Sequence, residues 1–325
     1  MRSSRWSIPF SILCALILST AALAQEPAAD PFAPPEPPPN PALLEGHVRE
    51  GAFLSGPGSL TFVLHHTIMG AAAGLATQGI STGFNTDLGN RERMLAGTLI
   101  GAGLGFGVSA WWQFNHWIGT PMATYGIVNS VLAGMLTTGF TNQFTENAEA
   151  LAWTAFLGVE AGAWLTAVLA GGDMPVSKGL LIASGGLWGL VYSALILGMV
   201  GGSGTKLTAR GATDALFISA GIGGVAMAIA SAKYNPSSAQ ILRADLFGLG
   251  VGGAVFIVSS LVVGLRFDLA TPYVLAALSS AGAITAVSLL WEESAERPED
   301  RAVGQSAQYF YRSKELDRPY RTVWW

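Results

Sequence analysis

The sequence predicts an all-α fold: a polytopic membrane helix bundle of about eight transmembrane helices, built from four helix-hairpin repeats and packed through glycine zippers. Three observations carry this. Half of the 325 residues are hydrophobic and only 12% are charged, against about 25% charged in an ordinary soluble domain. Eight apolar segments follow one another from residue 59 onward, each roughly the 20 residues needed to cross a hydrocarbon core. The 41 glycines recur within those segments at helical spacing.

Charge is unevenly spread along the chain. Eight charged residues lie in 1–57, 17 in 58–291 and 13 in the last 34 positions. Four regions follow. Residues 1–24 read as a signal peptide, with basic Arg2 and Arg5, an apolar run Ile8 to Ala21, and a small-x-small cleavage site at Ala22-Leu23-Ala24. The only cysteine, Cys14, would leave with it, so the mature chain has no disulfide, thiolate metal site or cysteine nucleophile. Residues 25–57 read as a proline-rich extracytoplasmic linker, because eight of the sixteen prolines fall between Pro27 and Pro41 and such a run favours an extended spacer. Residues 58–291 form the transmembrane domain, and 292–325 a polar, aromatic extracytoplasmic tail.

The apolar segments run approximately 59–79, 94–114, 122–140, 151–170, 179–200, 213–232, 240–264 and 272–291. Their continuous apolarity lacks the two-residue alternation of an outer-membrane barrel. The stretch PVSKGLLIASGGLWG, from Pro175, is echoed 61 residues later by PSSAQILRADLFGLG, which aligns Ser184 with Asp245. A polar or small residue followed five positions later by glycine recurs in most segments: His65/Gly70, Thr98/Gly103, Asn129/Gly134, Ser184/Gly189, Ser219/Gly224 and Asp245/Gly250. That period predicts a duplicated two-helix unit. Gly97, Gly101 and Gly105 make a four-residue ridge, with Gly70/Gly74, Gly158/Gly162, Gly185/Gly189 and Gly248/Gly252 elsewhere. Small residues at this spacing let membrane helices approach closely.

Ionisable residues within the membrane are costly and often functional. His65, His66, Asn129, Glu160 and Asp245 are therefore the candidate site residues. Glu160 reads either as a proton or cation carrier or as a carboxyl satisfied by a neighbouring helix. Asp245 has Arg243 as a local partner, near enough to the boundary for the arginine to snorkel. His65 and His66 are adjacent, about 100° apart on a helix, so only one is expected to face a small site.

Enzyme motifs are poor. Glu292-Glu293-Ser-Ala-Glu-Arg297 has the Glu-Glu-x-x-x-Arg form of CAAX-type intramembrane proteases, yet it follows the last crossing with no histidine after it. Ser184 lacks the downstream histidine that a rhomboid-type serine requires, since all four histidines precede it. Zinc-binding His-Glu-x-x-His and phosphate-loop motifs are absent from the sequence, and no dinucleotide fingerprint in its strand-to-helix setting is found. No cofactor is expected, no catalytic residue is assigned, and a metal is left undecided. The net charge of −4 argues against nucleic acid as a partner; the lipid bilayer and other membrane proteins remain. The expectation is a non-enzymatic scaffold or assembly component of the cell envelope, with a small-solute or ion permeation protein as the alternative and an intramembrane enzyme third.

With a cleaved signal and eight crossings, both mature termini face outward. The inner loops then hold Arg91, Arg93, Lys206, Arg210 and Arg266, and the outer loops Lys178 and Lys233, with Arg243 at an outer helix end. This agrees with the positive-inside bias. A periplasm-dependent reporter fused after Trp325 should be active and one fused at Ser203 inactive. The opposite pattern would overturn the helix count or the cleavage.

Overall fold

The computed structural model describes residues 43–49, 51 and 53–290. The expected signal peptide, the whole Pro27–Pro41 run, Trp291 and the tail 292–325 lie outside the described residues. The chain divides into a unit ending at Leu43 and one from Leu44 onward, and the helices belong to the second.

Two short strands, β1 (Leu43–Leu44) and β2 (His47–Val48), precede eight helices. These are α1 (Ser59–Gly79), α2 (Leu88–Asn115), α3 (Thr120–Asn142), α4 (Ala148–Ala170), α5 (Val176–Gly202), α6 (Ala209–Ala230), α7 (Ser238–Val262) and α8 (Thr271–Leu290). All eight expected segments are helical. Several extend past the apolar run, because a helix continues into the polar boundary until a cap or breaker stops it. Thus α2 begins before Arg91 and Arg93 rather than at residue 94. Local chemistry sets other starts. The Asn147 side chain accepts from Glu149 N and Ala150 N at the start of α4, Thr208 from Gly211 N at α6, and Ser237 from Gln240 N at α7. Gly171, at φ 67°, ends α4 in a left-handed conformation that disfavours any side chain.

Seven of these helices are long and apolar enough to cross a membrane; α3 is the eighth. Its polar load includes Thr124, Asn129, Ser130, Thr137, Thr138 and Thr141. Asn129, Ser130 and Thr137 face α4, where they find contacts or hydrogen bonds, and α3 also packs against α6, α5 and α1.

Consecutive helices pair as four antiparallel hairpins, α1–α2, α3–α4, α5–α6 and α7–α8. Each hairpin meets the next: α1 touches α3 and α4, α3 touches α6 and α5, and α5 touches α8 and α7. Within hairpins, backbones meet at glycine. A Cβ on Gly70 or Gly101 would run into the other's carbonyl oxygen, and Gly74 and Gly97 oppose each other likewise. Gly105 lies on the carbonyl of His66, while Gly189 meets Ser219 and Gly223 meets Gly185. In the α3–α4 pair, Gly158 and Gly162 face Ala133 and Asn129; in α7–α8, Gly252 faces Ser280.

Of the glycines in the five-residue pattern, Gly70, Gly134, Gly189 and Gly224 pack closely and two do not. Gly103 and Gly250 have nothing within 4 Å of an added Cβ. Residues five apart on a helix differ by about 140° in direction, whereas those four apart differ by about 40°. The four-residue ridges therefore pack, and α7 uses Gly248 and Gly252 instead of Gly250.

The stretch expected to be spacer up to residue 57 also behaves differently from Leu44 onward. Glu45 accepts from Trp117 N at 3.0 Å, Arg49 donates to the Phe114 carbonyl at 2.8 Å, and His47 bonds Asp173 at 2.8 Å while stacking on Trp117. Ser55 is buried, with its backbone N–H donating to Gln113 Oε1 at 3.2 Å. Residues in this segment find partners on the end of α2 and on the α2–α3 and α4–α5 loops, which a proline-rich spacer would not.

Gly101→Leu should force α1 and α2 apart, at an overpacking cost of about 1–3 kcal/mol or more, and lower the folded yield measured by size exclusion in detergent. Leu104, 65% exposed on α2, should tolerate alanine with little change. Equal yields would contradict the glycine contact.

Candidate functional site

Glu160 lies midway along α4 and reaches α1. Its Oε2 is 2.8 Å from His66 Nδ1 and accepts from Trp164 Nε1 at 3.0 Å. Trp164 is four residues after Glu160, so both project from one face of α4. The indole also stacks on His66, with centroids 4.5 Å apart, and Phe62 meets both rings edge-on. Trp112 of α2 closes against Trp164. His66 is consequently 2% exposed. Below these rings sits an apolar cluster that includes Phe62, Ile118, Met122 and Met174.

Both histidines reach this place, contrary to the expectation from their adjacency. The His65 and His66 ring centroids are 5.1 Å apart. One donor atom from each of His65, His66 and Glu160 lies within 4.8 Å of the others. The angle of about 100° separates the bonds leaving the backbone, and the length of each side chain lets both rings lean toward α4.

Asn129 belongs to the neighbouring α3–α4 contact. Its amide donates to Thr166 Oγ1 at 2.9 Å, and Thr166 in turn donates to the Gly162 carbonyl. Asp245 stands apart from the histidines, between the third and fourth hairpins. Its Oδ1 accepts from Ser184 Oγ at 2.6 Å and from Trp188 Nε1 at 2.7 Å, both on α5. The local Arg243 was the expected partner; the bonds to the carboxylate come instead from across the bundle. Ser184 and Asp245, aligned in the sequence, meet in space. They line one wall of a cleft of about 810 Å³ between α5, α6, α7 and α8. Thus three of the five candidates come together, and Asn129 and Asp245 serve other contacts.

Sequence reasoning missed a third carboxylate. Asp214, on α6, is 3% exposed. Its two oxygens accept from Asn142 Nδ2 and Gln143 Nε2, each at 2.6 Å, at the end of α3. Beside it, Arg210 bonds Glu146 and the Asn142 carbonyl. Asp214 lies at the edge of its apolar segment, which is why it read as part of a helix start. A signal for the other two sites was available: a tryptophan follows Glu160 and Ser184 by four residues in both. Arg266 and Asp268, in the α7–α8 loop, form a local pair at 2.8 Å. The Arg266 hydrogen bond holds the Asp268 carboxyl below its usual range, but a fully exposed pair stabilises little.

No family model, curated protein or solved structure matches the chain.

Asp245→Asn keeps an acceptor oxygen for Ser184 and Trp188, so it should melt close to wild type. Asp245→Ala strands the Trp188 N–H and frees Ser184 to bond its own helix. Interhelical hydrogen bonds in membranes average about 0.6 kcal/mol and reach about 1.7, so the loss should be about 1–3 kcal/mol. Thermal unfolding in detergent reads this, and an Ala variant as stable as Asn would show that the bonds hold nothing.

Proposed function

We propose that the chain is a non-enzymatic scaffold or assembly component of a bacterial cell envelope, resident in the cytoplasmic membrane with both mature termini outside. Its seven long apolar helices suggest an integral, multi-pass membrane protein. The finer reading rests chiefly on one observation: at each junction between successive hairpins a carboxylate hydrogen-bonds across to the neighbouring hairpin. Glu160 joins the first and second, Asp214 the second and third, and Asp245 the third and fourth. Groups used this way hold an array of hairpins in order. They do not form a file of sites along one path, as ion transfer requires, nor the nucleophile and base of an enzyme.

Broad apolar faces fit the same role. Leu95, Leu99, Ile100, Leu104 and Val108 of α2 are all exposed, and such a face can lie against lipid or another membrane helix. In reconstituted vesicles, proton and potassium leak should stay at the protein-free level. In native electrophoresis of mildly solubilised membranes, the 33.8 kDa chain should migrate within a much larger assembly.

The permeation reading is favoured by one feature, the cleft that Asp245 lines between α5 and α7. Leak that rises with protein content and falls in Asp245→Ser would support that reading and overturn the scaffold.

A further inference from the structure

We infer that His65, His66 and Glu160 form a binding site for a divalent transition-metal ion of the zinc class, bridging α1 and α4. Two imidazoles and a carboxylate are the nitrogen and oxygen donors that such ions take. One donor atom from each residue lies within 4.8 Å of the others. Two ligands at about 2.1 Å from a tetrahedral ion stand about 3.4 Å apart, so small side-chain rotations close the set.

A second observation points to a ligand. His65 Nε2, His66 Nε2 and Glu160 Oε1 are all buried and have no hydrogen-bond partner. Three unsatisfied polar atoms on three touching side chains are costly in an apolar interior. Asp214 differs, with a donor on each oxygen. An ion bound by these three side chains would give the cluster a partner that the protein does not supply.

The surroundings suit a metal. Trp164 donates to Glu160 Oε2 and stacks on His66, so the carboxylate and one ring are held before any ion arrives. Outer contacts of this kind commonly raise metal affinity 10–100-fold. His65 is only partly buried and lies six residues into α1, about 9 Å along the helix from Ser59.

The test uses the full chain in detergent, freed of metal with a chelator, then titrated with Zn²⁺ and separately with Co²⁺. Calorimetry should give about one Zn²⁺ per chain, and Co²⁺ should develop visible absorption bands of nitrogen and oxygen ligation. Zinc should raise the thermal midpoint, since it binds the folded state. His65→Phe and Glu160→Gln should each weaken binding at least tenfold. His47→Asn, which removes the exposed His47–Asp173 pair, should leave it unchanged. Wild-type protein that takes up no Zn²⁺, or binding that is lost in His47→Asn and kept in His65→Phe, would overturn the site. So would folded His65→Phe protein that binds as tightly as wild type. Should Glu160→Gln fail to fold, His65→Phe decides alone, because its lost Nε2 bonds nothing in the protein.

Discussion

A carboxylate inside a membrane must be given hydrogen-bond donors by the protein itself, because lipid supplies none. That constraint orders this fold. Each of its three junctions between successive hairpins contains one carboxylate, and each carboxylate takes donors from the neighbouring hairpin. Sliding or rotating one hairpin against the next would strand those groups. The fold therefore has a defined register where apolar surfaces alone would leave many.

Two kinds of contact divide the work. Within a hairpin, glycine lets two backbones approach until carbonyl and Cα surfaces touch, and dispersion over a long seam holds them. That contact is close, but a glycine ridge is nearly self-similar after four residues and selects register poorly. Between hairpins the surfaces are less closely matched, and one polar clasp selects the register. Tryptophan contributes at two of the three junctions. Trp164 and Trp188 each bring a large apolar body and one N–H donor, so they fill space beside the carboxylate that they bond.

Much of this was legible in the sequence. Eight helices, their pairing and the four-residue glycine ridges follow from hydropathy and spacing, because both reflect local periodicity. Glu160 and His66 were legible as candidates, since a buried charge in an apolar run needs a reason. Their partnership was not, because contacts between α1 and α4 depend on how hairpins stack. The exclusion of one histidine from the site failed for a similar reason: helical angles locate Cβ atoms, and ring positions follow from what packs around them. The bonds of Asp245 to Ser184 and Trp188 were not legible, because the sequence displays neighbours in the chain and conceals those across the bundle. Asp214 escaped notice at a segment edge, where charges ordinarily meet water. The contacts of Glu45, His47 and Arg49 were hidden by the prolines before them, although Glu45 and His47 have loop partners and Arg49 reaches the end of α2.

The claim that carboxylates fasten hairpins is tested most directly by a double-mutant cycle at the most buried of them. Asp214→Ala, Asn142→Ala and the double variant can be compared by reversible unfolding in detergent micelles. The Asn142 side chain is the relevant group, because its backbone carbonyl serves Arg210 separately. A coupling energy of about 0.6–1.7 kcal/mol is predicted, the range for interhelical hydrogen bonds in membranes. Additive effects of the two substitutions, with no coupling, would contradict the account.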